Sequence, residues 1–475
     1  MIGIARIGVY LPQLRLRRDA IASAHAWGVP ALKAHAKGTV ATSNWDEDAV
    51  TMAHEAAREI VVTSESDISG LSFCSTSMPF ADRSHATLLC EALGLQTNIP
   101  VQDIAASQRA GTSTLMAALQ GQRSGELVIA SERRKAQPAS VQEMTYGDAA
   151  VALTTGVSNL LAEFVAATSV NADFVDHYRS ADSQFDYAFE PRWVRDEGQL
   201  KLIAEAIESV LAKAKCGALS VNRLVINAPT RVAAKLAKAT GLDNANSASV
   251  IAQQIGLSGC ASPLMALAES LETAREGQLV LCIGFGQGAD AMLFRAGPAA
   301  GKPEAFSAAL SKGVEDTNYL RFLSNRNLID MDWGMRAERD VRTAQSAYYR
   351  ERNQITAMVG GLCSACGTVQ FPRTKSCVNP ACRELGEQGE YSFAGKHGRV
   401  KSFTEDWQAY SPSPPLTYGN IEFEGGANIM MQFTDTRAGD TQIGTEVSMH
   451  FRIKDIDRHR NFRRYFWKAI AAEAL

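Results

Sequence analysis

Over the first 300 residues the order of apolar and polar positions runs through one programme twice. Ala49 to Val62 and, about 150 residues later, Leu202 to Lys215 carry apolar residues every three or four positions, which predicts an amphipathic helix in each copy. Each leads to a short apolar run of strand length, Leu71-Ser72-Phe73-Cys74 or Leu224-Val225-Ile226-Asn227. Another helix follows and closes on Leu93-Gly94-Leu95 or Thr240-Gly241-Leu242. Small-residue turns, Ala106-Ser107-Gln108-Arg109-Ala110-Gly111 and Gly256-Leu257-Ser258-Gly259-Cys260-Ala261, then open helices that run into the apolar strands Leu127-Val128-Ile129-Ala130 and Leu279-Val280-Leu281-Cys282. A Gly/Asp turn and a last strand end each copy, at Gly147-Asp148 and Gly288-Ala289-Asp290. Strands apolar on both faces and alternating with helices imply sheets covered on both sides. Such self-similarity predicts a duplicated α/β body, a five-layer sandwich.

The pattern changes late in the chain. Stretches starting at Arg399, Gly419, Asn428 and Glu446 alternate apolar and polar residues between Gly/Pro turns, which predicts a small antiparallel barrel. Before them lie two cysteine pairs, Cys363 with Cys366 and Cys377 with Cys382, about ten residues apart. Paired thiolates at this spacing close a tetrahedral zinc site, and four protein ligands leave no open position, so the metal is expected to be structural. The expected division is 1–160 and 201–300 for the two halves of the body, 161–200 for an insertion between them, 301–355 for a helical linker, 356–390 for the ribbon and 391–475 for the barrel.

Composition narrows the partners. At 475 residues the chain exceeds the roughly 250–300 at which single cores stop growing. A charged fraction of 21% and a net charge of -3 offer no overall basic field for nucleic acid. No apolar run approaches the roughly 18 residues of a membrane span. The other five cysteines, Cys74, Cys90, Cys216, Cys260 and Cys282, are dispersed in apolar surroundings, which suits a reducing cytoplasm better than a disulfide framework. Arg452, Lys454, Arg458, Arg460, Arg463, Arg464 and Lys468 form a local basic cluster, read as a solvated face with Asp455 and Asp457 interleaved, or as a contact for a CoA phosphate or for the α/β body.

Over residues 1 to about 350 the plan resembles the thiolase superfamily, in its hydroxymethylglutaryl-CoA synthase branch. The cues are Gly8-Val9-Tyr10-Leu11-Pro12, Asp46-Glu47-Asp48-Ala49, Arg109-Ala110-Gly111-Thr112 and the insertion Asp173-Phe174-Val175-Asp176-His177-Tyr178-Arg179, in that order and spacing. The cysteine ribbon and barrel, with Gln370-Phe371-Pro372-Arg373 and Tyr465-Phe466-Trp467, resemble the zinc-ribbon/OB-fold accessory proteins that dock onto such enzymes. The resemblance implies an acyl-CoA or CoA ligand, contacted by Arg109, Arg231 and Gly286, and a homodimer paired across its sheets.

The family's chemical residues are replaced. Its nucleophilic cysteine falls on Gln108, or on Ser107 if the alignment shifts by one; its histidine falls on Asn227, its asparagine on Leu257 and its glutamate on Thr76. Glutamine cannot form an acyl-enzyme, so cysteine chemistry is excluded. Two readings follow. In one, the amides of Gln108 and Asn227 and backbone donors around Gly284 to Gly288 polarise a thioester or keto oxygen, as in cysteine-free thiolase relatives that act by retro-aldol cleavage. The acid/base then comes from the insertion, which carries Tyr178, Arg179, Asp182, Asp186, Glu190, Arg192, Trp193 and, first among them, His177. In the other reading the body is a non-catalytic adaptor that pairs with an active second thiolase-type chain.

Overall fold

Strand β1 (Gly3–Tyr10) sits mid-sheet, and the duplication is written around it. The computed structural model describes residues 1–64, 67–226, 228–338 and 344–471, in two units. The first comprises Met1–Ser43, Asp48–Thr87 and Gln96–Phe322. Its strands in chain order are β1, β2 (Leu14–Arg17), β3 (Thr39–Thr42), β4 (Gly70–Cys74), β5 (Val101–Ile104), β6 (Glu126–Glu132), β7 (Ala149–Gly156), β8 (Ala162–Asn171), β9 (His177–Tyr178), β10 (Tyr187–Ala188), β11 (Val221–Ile226), β12 (Leu279–Phe285), β13 (Gly288–Ala296) and β14 (Val314–Asp316).

Nine of these form one sheet in the order β11-β12-β13-β8-β1-β7-β6-β4-β5. From β1 outward, β7 and β6 are antiparallel neighbours and β4 and β5 join in parallel. From β8 outward, β13 and β12 are antiparallel neighbours, β11 joins in parallel, and a parallel bridge from Arg223 to Asn246 stands where β5 stands in the first copy. The two half-sheets meet only where Gly3 and Ile4 pair with Glu163 and Ala162. A Cβ on Gly3 would lie 2.1 Å from the Ala162 carbonyl oxygen, so this seam needs a glycine.

This topology corrects one boundary. Strand β8 lies within 161–200, the stretch assigned to an insertion, yet it is the second copy's counterpart of β1. Only the residues beyond Asn171, with the β9–β10 hairpin, intervene between the copies.

Helix Ala49–Ser64 packs on β1, β7 and β6, and helix Leu200–Ala214 on β13 and β8. Ile203, Ala206, Ile207, Val210 and Leu211 of the latter are buried at helical spacing. Helices Ala110–Gln120 and Ser262–Glu272 pack on one another and on strands of both half-sheets. The order is therefore helix, half-sheet, helix pair, half-sheet, helix. A small sheet, β14-β2-β3, completes the unit.

The second unit comprises Asn44–Glu47, Leu88–Leu95 and Leu323–Leu475. Strands β15 (Val359–Leu362), β16 (Val369–Gln370) and β17 (Gly389–Ser392) form a small sheet beside the four late cysteines. Then come β18 (His397–Asp406), β19 (Leu416–Phe423), β20 (Asn428–Gln432), β21 (Glu446–Asp457) and β22 (Phe462–Ala471), in the order β20-β19-β18-β21-β22. A parallel bridge from Phe433 to Ala469, with the Thr434 N–H donating to the Ala469 carbonyl at 3.0 Å, joins the two outer strands and closes the sheet into a barrel. Val400, Ile421, Met431, Met449, Phe451 and Trp467 fill it.

The basic cluster at 452–468 is only in part the solvated face expected of it: Lys454, Arg458 and Arg460 are exposed and Arg463 is half-buried. Arg452, Arg464 and Lys468 are buried. The Lys468 ammonium donates to Asp46 Oδ2 at 2.7 Å and lies 4.2 Å from the centre of the Trp45 ring, while Arg452 faces Asp435 at 3.3 Å and Glu47 at 3.7 Å. Lys468 and Arg452 are neutralised inside the unit by acids of Asn44–Glu47 and by Asp435, and Arg464 pairs with Asp455 at 3.3 Å.

Candidate active site

Gln108 ends a tight turn in front of helix Ala110–Gln120. The turn is strained at Ala106, a non-glycine residue with φ of 71°. Ser107 Oγ donates to the Gly286 carbonyl at 3.2 Å and accepts from the Arg109 N–H at 3.1 Å, so it braces the turn. Gly286 allows the close approach: a Cβ there would come within 3.0 Å of the Gln108 Cβ.

Arg109, expected to touch CoA, points into the protein. Its guanidinium donates to Asp290 Oδ1 at 2.8 Å, Ser169 Oγ at 2.9 Å, Asn171 Oδ1 at 3.2 Å and the Gly286 and Gln287 carbonyls at 2.9 and 3.1 Å. Asp290 is fully buried and also accepts from Thr112, Ser113 and Ser169. Arg109 thus anchors the turn. Arg231 is exposed at the start of helix Thr230–Ala239, and Asn227 lies outside the described residues.

Gln108 and His177, 69 residues apart in sequence, meet at 2.8 Å. The β9–β10 hairpin brings the imidazole there, and its Nδ1 lies 2.9 Å from Asp176 Oδ2. Arg134, buried just beyond β6, approaches the same carboxamide. With Gln108 Oε1 facing inward, it accepts from Arg134 Nη1 and Nη2 at 3.2 Å each and from His177 Nε2 at 2.8 Å. Arg134 also donates to the Tyr146 hydroxyl at 2.7 Å, lies 3.9 Å from that ring's centre and pairs with Asp186. Asp186 accepts from Tyr146 at 2.9 Å and from Arg179 at 2.9 Å. Burial works to raise the Asp186 carboxyl, but the charges of Arg134 and Arg179 outweigh it and hold the group below the usual carboxylate range. Burial pushes the Tyr146 phenol up.

Thr76 and Leu257 border this cluster. Thr76 offers its carbonyl to Arg179, while its N–H and hydroxyl both donate at 2.9 Å to Glu132 Oε1. Ser77 donates to the second Glu132 oxygen at 2.7 Å. Leu257 bridges to Tyr146. Cys74 and Cys260 are fully buried; burial pushes the Cys74 thiol up to about 12 and Cys260 well above its ordinary value. Neither offers a thiolate near neutral pH.

Sequence reasoning reached Gln108, His177, Arg179 and Asp186 but passed over Glu132, Arg134, Tyr146 and Asp176. A signal existed for two of them, since charged residues directly after a fully apolar strand, as in Glu132-Arg133-Arg134, stand at the strand end where α/β sheets hold their ligands. Of the remaining insertion residues, Glu190 caps the turn Pro191–Trp193, and Asp182 and Arg192 are exposed.

In the second unit the sulfurs of Cys363, Cys366, Cys377 and Cys382 all lie within 4.8 Å of one another. Two of the separations, Cys363 to Cys382 and Cys366 to Cys377, are 3.9 and 3.6 Å. A tetrahedral zinc with Zn–S bonds of about 2.3 Å sets sulfurs roughly 3.8 Å apart, so the donor set fits that ion. A pocket of about 530 Å³ in the same unit is lined by Trp333, Trp407, Tyr410 and Pro414, and none of the expected site residues borders it.

No protein-family model matches the chain. It is 26% identical over 350 residues to a hydroxymethylglutaryl-CoA synthase of Caldivirga maquilingensis, covering 70% of this chain and 99% of that one. It is 27% identical over 309 residues to the synthase of that name from Archaeoglobus fulgidus, covering 62% and 88%. Among solved structures, PksG, an HMG-CoA synthase from Bacillus subtilis, superposes with a TM-score of 0.59 at 17% identity over 72% of this chain and 95% of that one. The fold is thiolase-like.

Proposed function

We propose that the chain is an enzyme that makes or breaks a carbon–carbon bond next to an acyl-CoA thioester, working in the cleavage direction on a β-oxo or β-hydroxy acyl substrate and without a cysteine acyl-enzyme. The observation that carries this reading is the contact of Gln108, at the start of a helix, with His177 at 2.8 Å. A carboxamide can donate to a thioester or keto oxygen as charge develops there, and a neighbouring imidazole can move the proton that such a reaction requires. The hydroxymethylglutaryl-CoA synthases to which the chain is similar support an acyl-CoA substrate and carbon–carbon chemistry. The buried Cys74 and Cys260 support a route without a thiolate.

The second unit supports this reading in another way. Its barrel strands follow the cyclic order first-second-third-fifth-fourth, with the third and fifth parallel, which is the OB-fold arrangement. With a structural zinc held by Cys363, Cys366, Cys377 and Cys382, it corresponds to the accessory ribbon and barrel, fused here to the body.

The test incubates the purified chain with β-oxo and β-hydroxy acyl-CoAs and follows the shortened thioester or the released carbonyl compound. Gln108→Ala is expected to lower turnover by about 10²–10³, and alkylation of accessible thiols to leave it largely intact while zinc stays bound. No product from the chain alone, with product once an active thiolase is added, would replace the enzyme by the adaptor.

A further inference from the structure

We infer that Arg134 is the positioning residue of this site: its forked guanidinium fixes the Gln108 carboxamide with Oε1 inward, and the fixed Oε1 makes His177 a proton donor. The argument is one of hydrogen-bond parity. A guanidinium has only donors, so the two Arg134 N–H groups 3.2 Å from the amide require its oxygen, not its NH2 group, on their side. The same oxygen then accepts from His177 Nε2 at 2.8 Å. On the other side of the ring, Nδ1 faces Asp176 Oδ2 at 2.9 Å, an acceptor when ionised. The ring therefore turns an Nε2–H toward Gln108, with Nδ1 facing Asp176. The reverse amide orientation would let a singly protonated ring accept from Gln108, but would set three N–H donors against one another beside Arg134.

Other charged and polar groups stand around this relay. Asp176 adjoins the ring on its own strand end, Gln287 donates to the His177 carbonyl at 3.5 Å, and Arg134 approaches through Gln108. Behind Arg134 stand Tyr146, Asp186 and Arg179, with Glu132 adding its charge. Asp186 holds the guanidinium from behind, and the stacked Tyr146 ring keeps its plane. Because Oε1 is held inward, the Gln108 NH2 group turns away from Arg134 and His177 and is available to a substrate oxygen. As an assignment of catalytic roles this rests on the function proposed above; as a statement about protons it does not.

The test begins without substrate. In the full-length chain with 15N-labelled histidine at neutral pH, Nε2 of His177 is expected to carry a proton, with His177→Gln used to assign the signals. Gln108→Met removes the inner acceptor and is expected to abolish the Nε2 proton signal. An Nε2 without a proton in the native chain, or an Nε2 proton retained in Gln108→Met, overturns the relay. Kinetics provide the second arm. Arg134→Lys keeps the charge but not the fork, and is expected to lower kcat about as far as Gln108→Ala, roughly 10²–10³, with KM little changed. Joined to Gln108→Ala it is expected to add nothing further, because it acts through that amide. Fully additive losses would return Arg134 to a merely structural role. An Nε2-protonated His177 in a chain that cleaves no acyl-CoA would sink the proposed function and leave the relay standing.

Discussion

Removing one carboxylate from the second unit tests whether its buried ion network is as costly to break as its geometry implies. In Asp46→Ala the Lys468 ammonium, 2.7 Å from Asp46 Oδ2 and buried, loses its partner. Breaking a buried pair from one side costs about 3–5 kcal/mol, because the remaining charge stays desolvated. The unit spans roughly 165 residues. At about 2.1 cal/mol/K per residue its unfolding entropy is about 0.35 kcal/mol/K, so a separate transition should fall by about 9–14 °C; if the whole chain melts together, the fall is about 3–5 °C. The linkage also has a sign. Burial works to raise the Asp46 carboxyl, but the charges of Lys468 and Arg452 more than offset it and hold the group below its ordinary value. Its contribution is therefore present above the unfolded carboxylate pKa and is lost as pH falls through the lower folded value, a dependence that Asp46→Ala removes. Scanning calorimetry of the full chain between pH 3 and 7 is the assay. Adding Lys468→Met to Asp46→Ala should restore most of the loss. A shift under about 2 °C, or a double variant no better than the single one, would refute the argument.

Three other expectations can be checked directly. Native protein should hold about one zinc per chain, and Cys366→Ser should unfold the ribbon while sparing the α/β body; metal analysis finding no zinc would end this assignment. Ala106→Gly should raise the denaturation midpoint by an amount worth about 0.5–1 kcal/mol, since an L side chain at φ of 71° is strained, and a lowered midpoint would count against strain in the turn. The outer strand β5 leaves one edge of the nine-stranded sheet without a neighbour, and pairing there should make the chain at least a homodimer by light scattering at micromolar concentration.

The duplicated body was legible because its strands are apolar on both faces, so that β4, β6 and β12 stand out as unbroken runs. Strand β8 was misread because Glu163, Thr168 and Ser169 interrupt its apolar residues, and partial exposure made a core strand resemble a connecting loop. Strand β22 was hidden for another reason. Arg463, Arg464 and Lys468 gave it the look of a solvated face, and the acid that neutralises Lys468 lies 422 positions earlier. The site divides in the same way. Gln108 and His177 could be nominated from a turn and an insertion, each a local pattern. Arg134 and Tyr146 gain their meaning only from Asp186, 52 and 40 residues away, and no local pattern announces such a partner.

The seam at Gly3 and Ile4 bears on how the chain is made. Strand β1 is synthesised well before its neighbours β7 and β8, which begin at Ala149 and Ala162. At about 5–20 residues per second a nascent chain would hold β1 unpaired for roughly 8–30 s before either neighbour exists. Through that interval an apolar strand with two open edges is exposed to other nascent chains. A bulky amino-terminal fusion would prolong it by hindering the strand's late entry between the two copies, so yield should depend on which end of the chain carries a tag.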